Sequence, residues 1–142
     1  MPAPYIALLV SSYERPGHLR RCLLSIAGQQ DVTGAFEVVV TDDGSTDETE
    51  QLVSDFASSV DFPVQFVTHP HDGFQLARCR NNGVKASHAP YLLFLDGDCL
   101  LPSNHVSWHL QQRRQQVVMA GDCCRLDRAA SRRITDGSIR DG

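Results

Sequence analysis

The run Tyr91-Leu92-Leu93-Phe94-Leu95 passes without a break into Asp96-Gly97-Asp98. An unbroken apolar run of this length predicts a strand buried on both faces, as in a parallel sheet covered by helices. Ending such a strand in two carboxylates is costly unless the acids share a cation. Carboxylate oxygens suit hard divalent ions such as Mg²⁺ or Mn²⁺. Gly97 allows a turn tight enough for both acids to converge. The pattern predicts a metal site at the carboxyl end of a central strand, where open α/β sheets bind their ligands. The plainer explanation is a turn and a helix cap before Pro102, and it accounts poorly for an acid on each side of the glycine.

The rest of the chain supplies neighbours for that strand. Ile6–Val10 reads as a strand, and Pro16 suits the first turn of a helix. Leu19, Cys22, Leu23 and Ile26 recur at helical spacing, with Gly28 near the helix end. Phe36–Thr41 centres on Val38-Val39-Val40 and predicts a second strand. Thr46, Asp47 and Glu48 place cap residues and acids at a helix start, and Leu52, Val53 and Phe56 turn that helix inward. Val64–Thr68 is a short third strand, and Phe74–Ala86 a helix. Beyond Leu95, Pro102–Arg114 reads as a helix and Val117–Ala120 as a fifth strand. Strands alternating with helices imply an α/β fold with a mostly parallel sheet and right-handed crossovers.

Bulk properties narrow the function. A chain of 142 residues fits one domain with a real core. A net charge of −4 offers no basic face for nucleic acid. No apolar run is long enough to cross a membrane. The stretch Met1–Ile6 has neither a basic region nor a cleavage signal for export. Five cysteines, with Cys123 and Cys124 adjacent and no C-x-x-C pair, suit reduced thiols in a cytosolic setting.

Asp42-Asp43-Gly44-Ser45 follows a buried strand, so parallel topology brings it to the same sheet edge as Asp96. By itself it reads as a turn plus cap. Beside a metal site, an acid there can accept a hydrogen bond from a base N–H or a ribose hydroxyl. Arg78 and Arg80 lie on the helix leading into the acidic strand, where a guanidinium can bind phosphate in bidentate fashion, although a solvated helix face explains them nearly as well. Asn81-Asn82-Gly83 is poor helix sequence and implies a close approach or a side-chain contact. The six histidines form no tight ligand set with carboxylates and are assigned ordinary surface or packing roles. There is no dinucleotide fingerprint, Walker loop or nucleophile elbow.

Four stretches together resemble family 2 glycosyltransferases of the GT-A fold. They are Ser11-Ser12-Tyr13-Glu14-Arg15-Pro16, Thr41-Asp42-Asp43-Gly44-Ser45-Thr46-Asp47, Ala77-Arg78-Cys79-Arg80-Asn81-Asn82-Gly83 and Asp96-Gly97-Asp98. Any one of them is common; the four in this order are not. The resemblance implies the Rossmann-like nucleotide-binding half of a GT-A fold. Residues 1–124 would form a nucleotide-sugar-binding α/β domain. Residues 125–142 would be a polar tail, disordered or the start of an acceptor half. It further implies a UDP-sugar donor, a saccharide or other hydroxyl acceptor, and a role in polysaccharide assembly. Asp43 would bond the uracil, with Asp42 or Glu14 nearby, and Ser11 and Tyr13 would line the base pocket. Asp96 would meet the ribose or sugar, and Asp98, with Asp96, would hold Mn²⁺ or Mg²⁺. Arg78 or Arg80 would assist at the diphosphate. The expected location is cytoplasmic, free or peripheral at the inner membrane face.

Inverting members of such a family use a carboxylate base far beyond the metal-binding acids. After Asp98 this chain holds Asp122, Asp127, Asp136 and Asp141, none in the expected Glu-Asp context. The base is therefore expected outside this chain, which would be part of a longer enzyme or a binder of donor alone. An open sheet edge near Val117, Val118 and Met119 would favour self-association. Phe94-Leu95-Asp96-Gly97-Asp98 also imitates a haloacid-dehalogenase motif, but that motif normally begins its domain and needs a downstream Lys, and no Lys follows Lys85. A receiver domain would need the Asp42-Asp43 pair after its first strand.

Overall fold

The computed structural model describes residues 5–32 and 36–141. Met1–Pro4, most of the stretch read for an export signal, lie outside the described residues. Four strands form one all-parallel sheet: β1 (Ile6–Ser12), β2 (Phe36–Asp42), β3 (Val64–Thr68) and β4 (Tyr91–Asp96), in the order β3-β2-β1-β4. The helices are α1 (Pro16–Ala27), α2 (Thr49–Ser59), α3 (Leu76–Ala86), α4 (His105–Gln112), α5 (Arg128–Arg133) and α6 (Asp136–Arg140). No helix among the described residues is long and apolar enough to cross a membrane.

β1 and β2 are the inner strands, and Ile6 to Val10 and Val38 to Val40 are essentially inaccessible to solvent. Their side chains alternate between two layers, as the pleat requires. Ile6, Leu8, Val10, Val38 and Val40 pack with Leu19, Leu23 and Ile26 of α1 and Val53 of α2. Ala7, Leu9 and Val39 form the second layer with Ala86 of α3. Leu8 stands between Val38 and Leu93 in register. Leu8→Ala should leave a cavity at the centre of the larger layer and cost about 3 kcal/mol. Urea unfolding should show a lower midpoint with an unchanged slope.

α3 approaches the sheet closely because Gly83 has no side chain. A Cβ there would sit 2.7 Å from Thr41 Cγ2. This answers the oddity of Asn81-Asn82-Gly83 in a helix: packing overrides propensity.

Two expectations need correction. β4 is not buried on both faces: Phe94 is 45% exposed, and Tyr91, Leu92 and Leu93 are only partly covered. β4 is an edge strand, and α3 lies over β1, β2 and β3, which leaves Phe94 half-exposed. Val117–Ala120 forms no strand, and Val118 is 95% exposed. Gln116 just ahead takes a left-handed backbone (φ 61°), and the segment meets no partner strand among the described residues. The run stays out of the sheet although β4 has no neighbour on its outer side among the described residues. α4 is also shorter than its sequence pattern, ending at Gln112, with Arg113 already extended.

The polar tail forms α5 and α6, neither with a buried residue. α6 lies against α1, where the Arg20 guanidinium grips both carboxylate oxygens of Asp136, with Nη1 2.7 Å from Oδ1. Thr135 and Ser138 close a capping box at its start.

Candidate functional site

The carboxyl end of β1 holds two acidic turns side by side. The Asp43 N–H donates to Ser12 O at 3.1 Å, and the Gly97 N–H donates to Ser11 O at 2.8 Å. Ser11 pairs in register with Thr41 on one side and Asp96 on the other. The Asp42-Asp43 turn and the Asp96-Gly97-Asp98 turn thus hang from consecutive carbonyls of one strand. Gly97 is required there, because a Cβ would lie 2.8 Å from Ser11 O.

Asp42 is buried and fully engaged. Its carboxylate accepts from the Gly44 and Ser45 amides at 3.0 and 2.7 Å and from the Ser45 and Thr68 hydroxyls. It shapes the loop rather than facing outward. Glu14, in a left-handed conformation (φ 45°), clasps the same loop: its N–H donates to Ser45 Oγ, and its carboxylate accepts from Thr46 Oγ1 at 2.9 Å.

Asp43 is 4% exposed. Oδ1 accepts from His69 Nε2 at 2.8 Å, and Oδ2 accepts from the Gln75 N–H at 3.0 Å. Burial pushes the carboxyl pKa up, but the Gln75 amide, the His69 hydrogen bond and the electrostatic pull of the neighbouring His69 and His71 rings outweigh it, holding the acid below its usual range. His71 Nδ1 donates to Asp43 O at 2.7 Å, and its ring stacks on Tyr13 at 4.3 Å and 7°. Tyr13 is partly exposed beside this acidic loop. Slight desolvation, then Glu14, Asp43, Asp42 and Asp47, raise its phenol pKa and keep it neutral.

Asp96 and Asp98 are both exposed, on either side of Gly97. Arg80 reaches Asp96 Oδ1 from Nη2 at 3.3 Å. Two buried polar atoms have no partner among the described residues, Ser11 Oγ and Arg80 Nε, and both belong to residues bordering Asp96. Arg78 sits apart, exposed and bonded to Gln75 Oε1 at 3.1 Å. The structure brings Ser11, Asp96 and Arg80 to one corner, and Tyr13, Glu14, Asp42 and Asp43 to another at the same edge.

Carboxylates at Asp96 and Asp98 provide the hard oxygen donors that Mn²⁺ or Mg²⁺ prefers, and no ion pair engages Asp98 among the described residues. The residues fit such an ion. A second cluster, Asp43, His69 and Cys79, has ligand atoms within 4.8 Å of one another. The Asp43–His69 hydrogen bond accounts for that proximity. Burial, then the Asp43 and Asp42 charges, push the Cys79 thiol up to about 11, so it is a neutral neighbour rather than a ready ligand.

Sequence reasoning missed His69, assigned there a surface or packing role. It is buried against Asp43, and Asn82 faces its other nitrogen at 3.3 Å. One signal was available: His69 directly follows the third strand, and parallel topology puts that strand end at the same edge as Asp43.

Comparison with known proteins identifies the family and the fold. A family model described as glycosyl transferase family 2 matches residues 7–133. Validoxylamine A glucosyltransferase of Streptomyces hygroscopicus subsp. jinggangensis is 34% identical over 125 residues, covering 85% of this chain and 29% of that protein. The 1–349 chain of S. aureus TarS, solved in complex with UDP, superposes with a TM-score of 0.69 at 24% identity, covering 75% of this chain and 31% of that one. The mannosyltransferase PcManGT of Pyrobaculum calidifontis, solved with GDP-Man and Mn²⁺, gives a TM-score of 0.66 at 25% identity over 75% of this chain and 32% of that one. The chain belongs to glycosyl transferase family 2, and its fold is that of the GT-A transferases. It spans less than a third of the length of each of these three proteins.

Proposed function

We propose that this chain is the donor-binding part of a metal-dependent glycosyltransferase that takes a UDP-sugar and serves transfer to a hydroxyl of a saccharide or other acceptor. The observation that carries the reading is the suspension of both acidic turns from Ser11 and Ser12. Asp43, just past β2, and Asp96 at the end of β4 flank β1, a separation of about 10 Å from two inter-strand spacings. A nucleotide laid across the strand ends bridges that distance, with base at one corner and diphosphate at the other.

In this reading Asp43 accepts the uracil N–H, Tyr13 and Ser11 border the base and ribose, and Asp42 and Glu14 hold the loop. Arg80 beside Asp96, or Arg78 on the same helix, assists at the diphosphate. Asp96 meets the ribose or sugar, and Asp98, with Asp96, is the metal ligand. A bound Mn²⁺ or Mg²⁺ would act as a Lewis acid, neutralising charge on the leaving diphosphate. The Mn²⁺ in the PcManGT complex supports the choice of ion.

We place the donor unit in residues 1–124, with 125–142 leading toward an acceptor half that carries the base. The free edge of β4 and exposed Val118 support self-association. The proposed setting is the cytoplasm, at or near the inner membrane face, in polysaccharide assembly.

Melting the protein with UDP, with Mn²⁺ and with both tests the donor reading. UDP plus Mn²⁺ should raise Tm by several degrees, as ligand at about 100 Kd stabilises by about 2.7 kcal/mol. UDP without metal should do far less. No shift with both present would sink it.

A further inference from the structure

We propose that His69, oriented by Asn82, is a positioning residue that sets base selectivity in the donor pocket. It holds Asp43 as an acceptor-only carboxylate, so that a pyrimidine presenting a ring N–H is accepted and one presenting a bare ring nitrogen is refused. The inference rests on the nucleotide-sugar reading above.

His69 lies just past β3 and is 7% exposed. Asn82 Nδ2 faces its Nδ1 at 3.3 Å, and an amide nitrogen only donates. Nδ1 is therefore the acceptor, and Nε2 carries the ring proton and donates it to Asp43 Oδ1 at 2.8 Å. The Gln75 N–H occupies Oδ2. One donor on each oxygen fixes the plane of the carboxylate and leaves each oxygen a further lone pair. The only hydrogen-bonding capacity left to Asp43 is to accept.

Uracil meets this arrangement with N3–H, a donor. Cytosine meets it with an unprotonated N3, which sets lone pair against lone pair and leaves both groups unpaired on desolvation. Sites built around a buried polar group discriminate strongly against a partner that cannot complete the hydrogen bond. Asn82 has a matching cost, since an asparagine beside a glycine weakens α3. Its contact with His69 gives that cost a purpose.

Isothermal titration of UDP and CDP in Mn²⁺ against the wild type, His69→Gln, His69→Asn and His69→Leu tests the inference. The wild type should prefer UDP by about 100-fold or more. His69→Gln places an amide N–H where the ring Nε2–H was, and should keep UDP affinity within about threefold, with the preference intact. His69→Asn is too short to reach Asp43. It and His69→Leu should lose about tenfold or more in UDP affinity, the scale of a hydrogen bond to a charged group, and the UDP-to-CDP ratio should narrow. If His69→Leu does not fold, the Gln and Asn variants decide, because a packing role would not separate them by reach. Wild-type affinity and selectivity in His69→Asn, or equal losses in the Gln and Asn variants, would overturn the inference and leave the donor reading standing. A wild type that binds neither nucleotide would overturn both.

Discussion

Asp98→Ala is expected to abolish the Mn²⁺-dependent part of UDP binding, an affinity loss on the order of 100-fold, or about 2.7 kcal/mol. The reason is electrostatic. The strand ends gather Asp42, Asp43, Asp96, Asp98 and Glu14 at one edge, with Arg80 already committed to Asp96. Such an edge repels a diphosphate until a divalent cation is placed between them. Removing one carboxylate ligand leaves the cation too few oxygens to compete with water. Asp98 is exposed and in no ion pair among the described residues, so the unliganded protein should unfold within about 0.5 kcal/mol of the wild type. Titration of UDP with Mn²⁺, and again after chelation, checks this. The wild type without metal should resemble Asp98→Ala with it. A variant that retains metal-dependent UDP binding would move the metal site elsewhere.

Gly44→Ala is expected to be among the most destabilising single changes, at about 3 kcal/mol, with Tm lower by roughly 10 °C. Gly44 has φ +83°, and an added Cβ would sit 2.4 Å from His71 N and 2.7 Å from His69 O. Both neighbours are backbone, so no rotamer change relieves the contact. The left-handed conformation alone costs a non-glycine residue about 1–2 kcal/mol. Relief requires the 69–71 segment to move, which draws His69 and His71 away from Asp43. UDP affinity should therefore fall together with stability. Gly73 is the matched control, with φ +69° but nothing within 4 Å of an added Cβ. Gly73→Ala should show only the conformational cost, about 1 kcal/mol. Equal melting temperatures for the two variants would refute the clash.

The contrast between these glycines shows what is legible in a chain. Gly44 and Gly73 sit in similar polar surroundings in the sequence, and only the approach of residues 69–71 separates them. The position of Asp96-Gly97-Asp98 at a strand end was legible because an apolar run and its acidic stop are adjacent in the chain. The position of Asp43 at the same edge was legible because a parallel sheet sends its strand ends to one side. For His69 the same rule gave the edge but not the contact, which is a hydrogen bond to a residue 26 positions away.

The sequence by itself determined the alternation of strands and helices, the inward faces of α1 and α2, and the placing of acids after β2 and β4. These follow from periodicity, caps and turns, which act over a few residues. Tertiary structure decided that β4 is an edge with Phe94 half-exposed, that Val117–Ala120 joins no strand among the described residues, and that His69, Asn82 and Gln75 belong to the setting of Asp43. Each of those depends on the strand order β3-β2-β1-β4 and on how closely α3 approaches it. Such choices are made by packing between distant segments, and local pattern does not carry them.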